Sequence, residues 1–126
     1  MAGNLTDAAE NAVLNWLSGN TTTAPVGPLR AALVTAAGTD GAPGTELAGG
    51  GYNRQTVTLT AAPGPISNTT LLRWSNLPAA TVVGVEVWDS AGTPVRWWYG
   101  PLAVSRTVSA GDALEFAVGA LTLALD

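Results

Sequence analysis

The side chains that could do chemistry are few. Nine carboxylates and five arginines are the only charged groups, and the chain has no histidine, no cysteine and no lysine. Without an imidazole or a thiol there is no Ser-His-Asp or Cys-His nucleophile, no histidine general base and no ordinary zinc ligand set. Carboxylate chemistry remains, of the kind a glycosidase performs with two acids. Glu86 and Asp89 lie three residues apart, as do Asp112 and Glu115. In a strand that offset sends the two side chains to opposite faces, so neither pair converges. Asp40 and Glu46, with the carbonyls between them, are the one place where calcium could be gathered. No EF-hand pattern is present there, and a solvated loop is the better reading. Gly49-Gly50-Gly51 is followed by neither Gly-Lys-Ser/Thr nor a helix start, which rules out a phosphate cradle. We therefore expect no catalytic residue, no cofactor, no metal and no enzyme.

The distinctive chemistry is aromatic. Trp88, Trp97, Trp98 and Tyr99 lie on two neighbouring segments, Arg96 adjoins them, and Trp16 stands alone near the start. In an alternating strand Trp97 and Tyr99 share a face and Trp98 takes the other. At least one large ring then points away from the core unless both faces of the sheet are covered. Such rings serve as core, as a subunit contact or as a stacking platform for sugar. Arg96 and Arg73 are placed to stack on them. Trp16, Trp88, Trp97, Trp98, Tyr99 and Arg96 are thus the candidate interface or ligand residues.

These residues must be held by regular elements. Ala9, Ala12, Val13, Trp16 and Leu17 repeat at helical spacing, which predicts one helix over residues 5–18. Thr6 is its expected N-cap, Asp7 and Glu10 suit the first turn, and Gly19 is the expected stop. A helix this short needs something to pack on. The simplest expectation is that it closes one end of its own domain; the other is that it docks on a partner. Beyond the turn-rich stretch Asn20–Pro28 the period changes to two. Strands are expected at Leu29–Val34, Tyr52–Thr60, Thr69–Ser75, Thr81–Asp89, Val95–Leu102, Arg106–Val108, Leu114–Val118 and Leu121–Leu125, with Val83, Val85 and Val87 on one face of the fourth. Thr35–Gly51, with six glycines and one proline, reads as a long loop that becomes ordered only on assembly. About eight short antiparallel strands at this spacing predict an all-β fold, a β-sandwich or small barrel, with one N-terminal α-helix.

The 126 residues fit a single domain, 1–126, whose β part occupies 29–126. Charged residues are only 11% of the chain, where about 25% is usual. A surface so poor in charge suits contact with other protein, unless Thr, Ser, Asn and Gly supply the solubility. With a net charge of −4 and no basic stripe, nucleic-acid binding has no electrostatic basis, and no nucleic-acid partner is expected. No apolar run reaches the roughly 20 residues of a membrane span. The first residues do not resemble a signal peptide, so assembly in a cytoplasm is expected. The Asn-X-Thr triplets at Asn4, Asn20 and Asn68 carry no meaning there.

Four stretches, in order, bring a family into view. They are Glu10–Leu17 (Glu-Asn-Ala-Val-Leu-Asn-Trp-Leu); Gly44–Leu47 running on to Gly50-Gly51-Tyr52-Asn53-Arg54-Gln55; Val83–Asp89; and Trp98–Leu102 with Thr107–Asp112. Together they span nearly the whole chain, which resembles a family of small structural proteins of tailed-bacteriophage particles, commonly labelled tail fibre or minor tail proteins. The resemblance implies a virion component put together in the host cytoplasm. It implies other virion proteins as partners, either the major capsid protein or tail proteins, and a homo-oligomer, with a trimer favoured. No catalytic residue comes with it. No heptad, collagen-like or β-helix repeat marks a fibre shaft. The expectation is therefore a capsid decoration or minor capsid protein; the alternative is a tail fibre or minor tail protein with a host-surface carbohydrate role.

Overall fold

The computed structural model describes residues 3–124. Its strands, in chain order, are β1 (Asn4–Leu5), β2 (Leu29–Ala36), β3 (Thr45–Glu46), β4 (Gln55–Val57), β5 (Ile66–Ser67), β6 (Leu72–Trp74), β7 (Ala80–Trp88), β8 (Arg96–Val108), β9 (Leu114–Phe116) and β10 (Thr122–Leu123). One helix, α1 (Asp7–Leu17), follows β1. The fold is all-β with a single short helix, as the sequence predicts. The sheets stay open, so the barrel alternative is not what forms.

The large sheet is antiparallel and runs β1-β8-β7-β2-β3, with β4 paired to the same edge of β2 as β3 but at its other end. Two small ribbons, β6-β9 and β5-β10, complete the fold. Alternation in β2 and β7 turns Ala31, Leu33, Val85 and Val87 to one face, where they meet Leu72, Trp74, Leu114 and Leu121 in a single core. Trp74 lies edge-on to Phe116, with ring centres 5.7 Å apart, a favoured aromatic geometry. Asn68 braces the ribbons. Buried among them, its amide donates to the carbonyls of Thr70 and Ala117 and accepts from the Leu121 N–H.

Several elements depart from expectation. The two segments expected at Val95–Leu102 and Arg106–Val108 are one strand, β8. It is interrupted by a bulge in which four residues, Leu102–Ser105, stand opposite Val83 alone. A bulge lets the ladder continue past Pro101, which lacks an N–H to donate. The same irregularity flips the local face of β7, so Val82 rather than Val83 joins Val85 and Val87 in the core. The long Tyr52–Thr60 strand shrinks to β4 plus a lone bridge from Leu59 to Asn68. β10 covers only part of Leu121–Leu125, and Leu125 lies outside the described residues. The Thr35–Gly51 segment is not a free loop. It carries the end of β2 and all of β3, and the single chain already pins it down through contacts set out below.

Candidate interaction surface

The aromatic residues do not form one cluster. Trp98 lies in the core, 1% exposed, with Gly3 so close above its ring that a Cβ there would fall 2.0 Å from an indole carbon. It is therefore no ligand platform. Trp97 and Tyr99 take the opposite face, as alternation requires, and both are half-buried. The Trp97 indole donates to Asp89 at 3.1 Å. Asp89 is buried and accepts three further hydrogen bonds, from the N–H groups of Val26, Ala91 and Val95. Burial alone would raise its pKa, but these four donors favour the carboxylate and hold it below the ordinary value.

The second face of the large sheet is covered by the glycine-rich segment, and the cover is electrostatic. Glu86 and Arg96 are both buried and form an ion pair at 2.9 Å. Glu86 also accepts the Gly44 N–H at 2.8 Å. Arg96 donates to the carbonyls of Thr39 and Asp40 and sits 4.9 Å from the centre of the Tyr99 ring. The Tyr99 hydroxyl donates to the Asp40 carboxylate. Gly38 and Gly44 permit this closeness, since a Cβ on either would strike backbone within 2.6 Å. Beside this network Glu46 receives the Tyr52 hydroxyl at 2.7 Å and a two-nitrogen fork from Arg54. Arg54 in turn lies 4.3 Å above the Trp88 ring. Burial opposes ionisation of Glu46, yet Arg54 and Tyr52 outweigh it and lower its pKa, while burial and Glu46 raise that of Tyr52. Of the stacking partners expected, Arg96 reaches Tyr99, whereas Arg73 pairs with Glu115 on the ribbon surface.

Both carboxylate pairs considered for catalysis are thus occupied. Glu86 holds an arginine and Asp89 a set of N–H donors, while Asp112 accepts the Ser109 N–H and Glu115 pairs with Arg73. Asp40 and Glu46 do not meet around an ion. Asp40 instead approaches Asp7 and Glu10 at the start of α1, the three carboxylates lying within 4.8 Å of one another and all exposed. Exposed acids commonly gather this way without an ion.

The remaining candidate, Trp16, lies on α1. Thr6 caps the helix, its hydroxyl oxygen accepting the Ala9 N–H at 3.3 Å while the hydroxyl donates to the Arg96 carbonyl at 2.7 Å. The Asp7 N–H bonds the Asp40 carbonyl at 3.0 Å. The first turn is therefore fixed to both β8 and the glycine-rich segment. Ala9 is the helix's only buried residue; Ala12 is half-buried and the other residues of the helix are exposed. The helix ends where expected, with Gly19 at φ +81°, a conformation suited to glycine. The apolar stripe that should have met a core is left in solvent. Trp16 is 70% and Leu17 72% exposed, and Val13 and Leu14 are exposed beside them. Shallow apolar grooves flank the helix, one of them running between Trp16, Trp97 and Pro25. The helix thus does not close the end of the β body, as its apolar spacing first suggests.

Among the described residues the buried charged groups are paired inside the chain, and an apolar ridge stands outside. The family is specific. Residues 4–124 match the family model described as Podophage GP4 fiber I protein gp80, and the chain belongs to that family. It is a structural component of a bacteriophage virion of the tail-fibre type. No curated protein matches the chain in sequence.

Proposed function

We propose that this chain is a non-enzymatic tail-fibre or minor tail component that works by packing against copies of itself, as a trimer, and against neighbouring tail proteins. The observation that carries the reading is the solvent-facing stripe Val13, Leu14, Trp16 and Leu17 on a helix anchored only by its first turn. Removing such a surface from water contributes roughly 25 cal/mol per Å² of apolar area, less the cost of association. The family points to the fibre rather than to a capsid decoration. A carbohydrate platform is the weaker alternative. The groove between Trp16 and Trp97 is almost wholly apolar, and the Trp97 indole N–H is already taken by Asp89. Sugar recognition needs several free hydrogen-bonding groups beside a stacking ring.

Counting copies per particle tests the reading, by quantitative mass spectrometry of purified virions against the major capsid protein. A small multiple of three places the chain on the tail. Hundreds of copies in an icosahedral multiple would return it to the capsid, and absence from the particle would overturn the virion role. A particle carrying Trp16→Ala that binds host glycan as well as the parent would remove the carbohydrate alternative.

A further inference from the structure

We infer that the segment Ala37–Gly44 is a lid that opens and closes as one unit, with the first turn of α1 as one of its fasteners. A shift of α1 then loosens the lid over the buried Glu86–Arg96 pair. The inference does not depend on what α1 meets.

What holds this segment is polar. It joins the end of β2 to β3, and from Ala36 to Pro43 no residue is buried. It therefore brings no apolar side chain of its own to a core. A cavity of about 150 Å³ lies between Gly38 and the sheet, at Gly84 and Gly100, which have no side chains to fill it. A segment with so little apolar contact opens locally, at a lower free energy than the whole fold. Its fasteners are hydrogen bonds. The Glu86 carboxylate accepts the Gly44 N–H, Arg96 donates to the Thr39 and Asp40 carbonyls, and the Tyr99 hydroxyl donates to the Asp40 carboxylate. The last is the Asp7 N–H of α1, which donates to the Asp40 carbonyl.

Helix, lid and ion pair meet at that carbonyl. One oxygen accepts the Asp7 N–H at 3.0 Å and an Arg96 guanidinium N–H at 3.3 Å. The Arg96 carbonyl in turn accepts the hydroxyl of the helix cap, Thr6, at 2.7 Å. One arginine thus grips the helix cap by its backbone and the lid by its side chain. The first turn of α1 cannot shift without straining the bond to Asp40, and the lid cannot lift without breaking it. A coupling of this kind is mutual: whatever loosens one side loosens the other by the same free energy.

The bond can be removed without disturbing the helix. Asp7 is the first helical residue, where proline is well accepted and its missing N–H costs the helix nothing. Thr6, at φ −79° and ψ 165°, is already extended, as the residue before a proline must be. Asp7→Pro therefore cuts α1 from the lid, whereas Asp7→Asn keeps the N–H and removes only the charge. Amide hydrogen exchange on the full chain reads the result. In Asp7→Pro the Thr39 and Gly44 amides should exchange roughly fivefold faster, the worth of one hydrogen bond, while the buried Val85 of β7 exchanges as in the parent. Asp7→Asn should leave all three unchanged. In the reverse direction, Ala42→Gly adds freedom to the lid and removes none of the hydrogen bonds that hold α1. It should speed exchange of the Asp7 amide about two- to fivefold. Thr39 and Gly44 amides unchanged in Asp7→Pro would overturn the inference. Equal acceleration at Val85 would do the same, since the whole chain would then be opening, and so would an Asp7→Asn effect as large as that of proline. Should Asp7→Pro fail to fold by circular dichroism, Ala42→Gly decides alone, and an Asp7 amide that exchanges as in the parent sinks the coupling.

Discussion

The second face of the sheet and the outer face of α1 invert the usual rule of burial. Behind the sheet, a carboxylate and a guanidinium are buried and paired, with backbone N–H and carbonyl groups completing their hydrogen bonds. On α1, a tryptophan and two leucines stand mostly in water. The first region is finished within one chain, since every charge in it has its partner. The second is not finished, because an apolar stripe at helical spacing is stable in water only at a cost. The difference separates what folding needs from what assembly needs. The ion pair and its loop are complete in the chain alone, and the ridge is what the proposed assembly would cover.

Removing Arg96 would break the contrast most sharply. Arg96→Ala leaves the Glu86 carboxylate buried without its partner, which typically costs about 3–5 kcal/mol. We expect urea unfolding of the variant to show a loss of that size. Hydrogen exchange should show the Gly44 and Thr39 amides protected in the isolated parent chain and open in the variant. Fast exchange of those amides in the parent would mean that the segment does wait for assembly to become ordered.

Asp89 offers a smaller effect with a definite pH signature. Its pKa and that of Glu46 are lowered in the folded chain. The unfolded chain therefore takes up protons first as the solution is acidified, and acid favours unfolding. The stabilisation is complete at neutral pH and is lost as pH falls through the ordinary carboxylate values of about 4 and below. The urea midpoint should decline between about pH 5 and pH 3. Asp89→Asn should cost roughly 1–3 kcal/mol at pH 7 and flatten part of that decline. A midpoint that rises on acidification would refute the sign.

The smallest effect is expected on the ridge. Trp16→Ala and Leu17→Ala should change the stability of the dilute, single chain by less than about 0.5 kcal/mol, as exposed sites do. A loss of several kcal/mol in either would mean that α1 packs on its own body after all, and the contrast between the two regions would disappear.

Much of the first region was hidden in the sequence and much of the second was open to reading. The helix announces itself through Ala9, Val13, Trp16 and Leu17, Thr6 and Gly19 mark its ends, and β7 shows in its alternating valines. β3, β5 and β10 are two residues each, too short to show any period. β8 reads as two strands, Val95–Leu102 and Arg106–Val108, because the four-residue bulge breaks the alternation between them and leaves no other mark in the pattern of residue types. The Glu86–Arg96 pair is hidden for a related reason. The charged group nearest Glu86 in sequence is Asp89, whereas its partner lies ten residues on, across a hairpin whose register shifts between Val87 and Trp88. The signal was available: an uncompensated glutamate in a run of valines needs a cation from the facing strand. What the spacing of the helix does not reveal is where it stops being covered, since that depends on the β body around it rather than on α1.

The overhang of α1 also gives the protein an optical label. Of its five tryptophans, Trp74 and Trp98 are buried and Trp88 and Trp97 half-buried, which leaves Trp16 as the one indole standing mostly in water. A soluble quencher such as acrylamide will reach that ring first, and covering it will shift its emission to shorter wavelength. The side chain that stands out of the fold is thus also a built-in reporter of whether anything covers it.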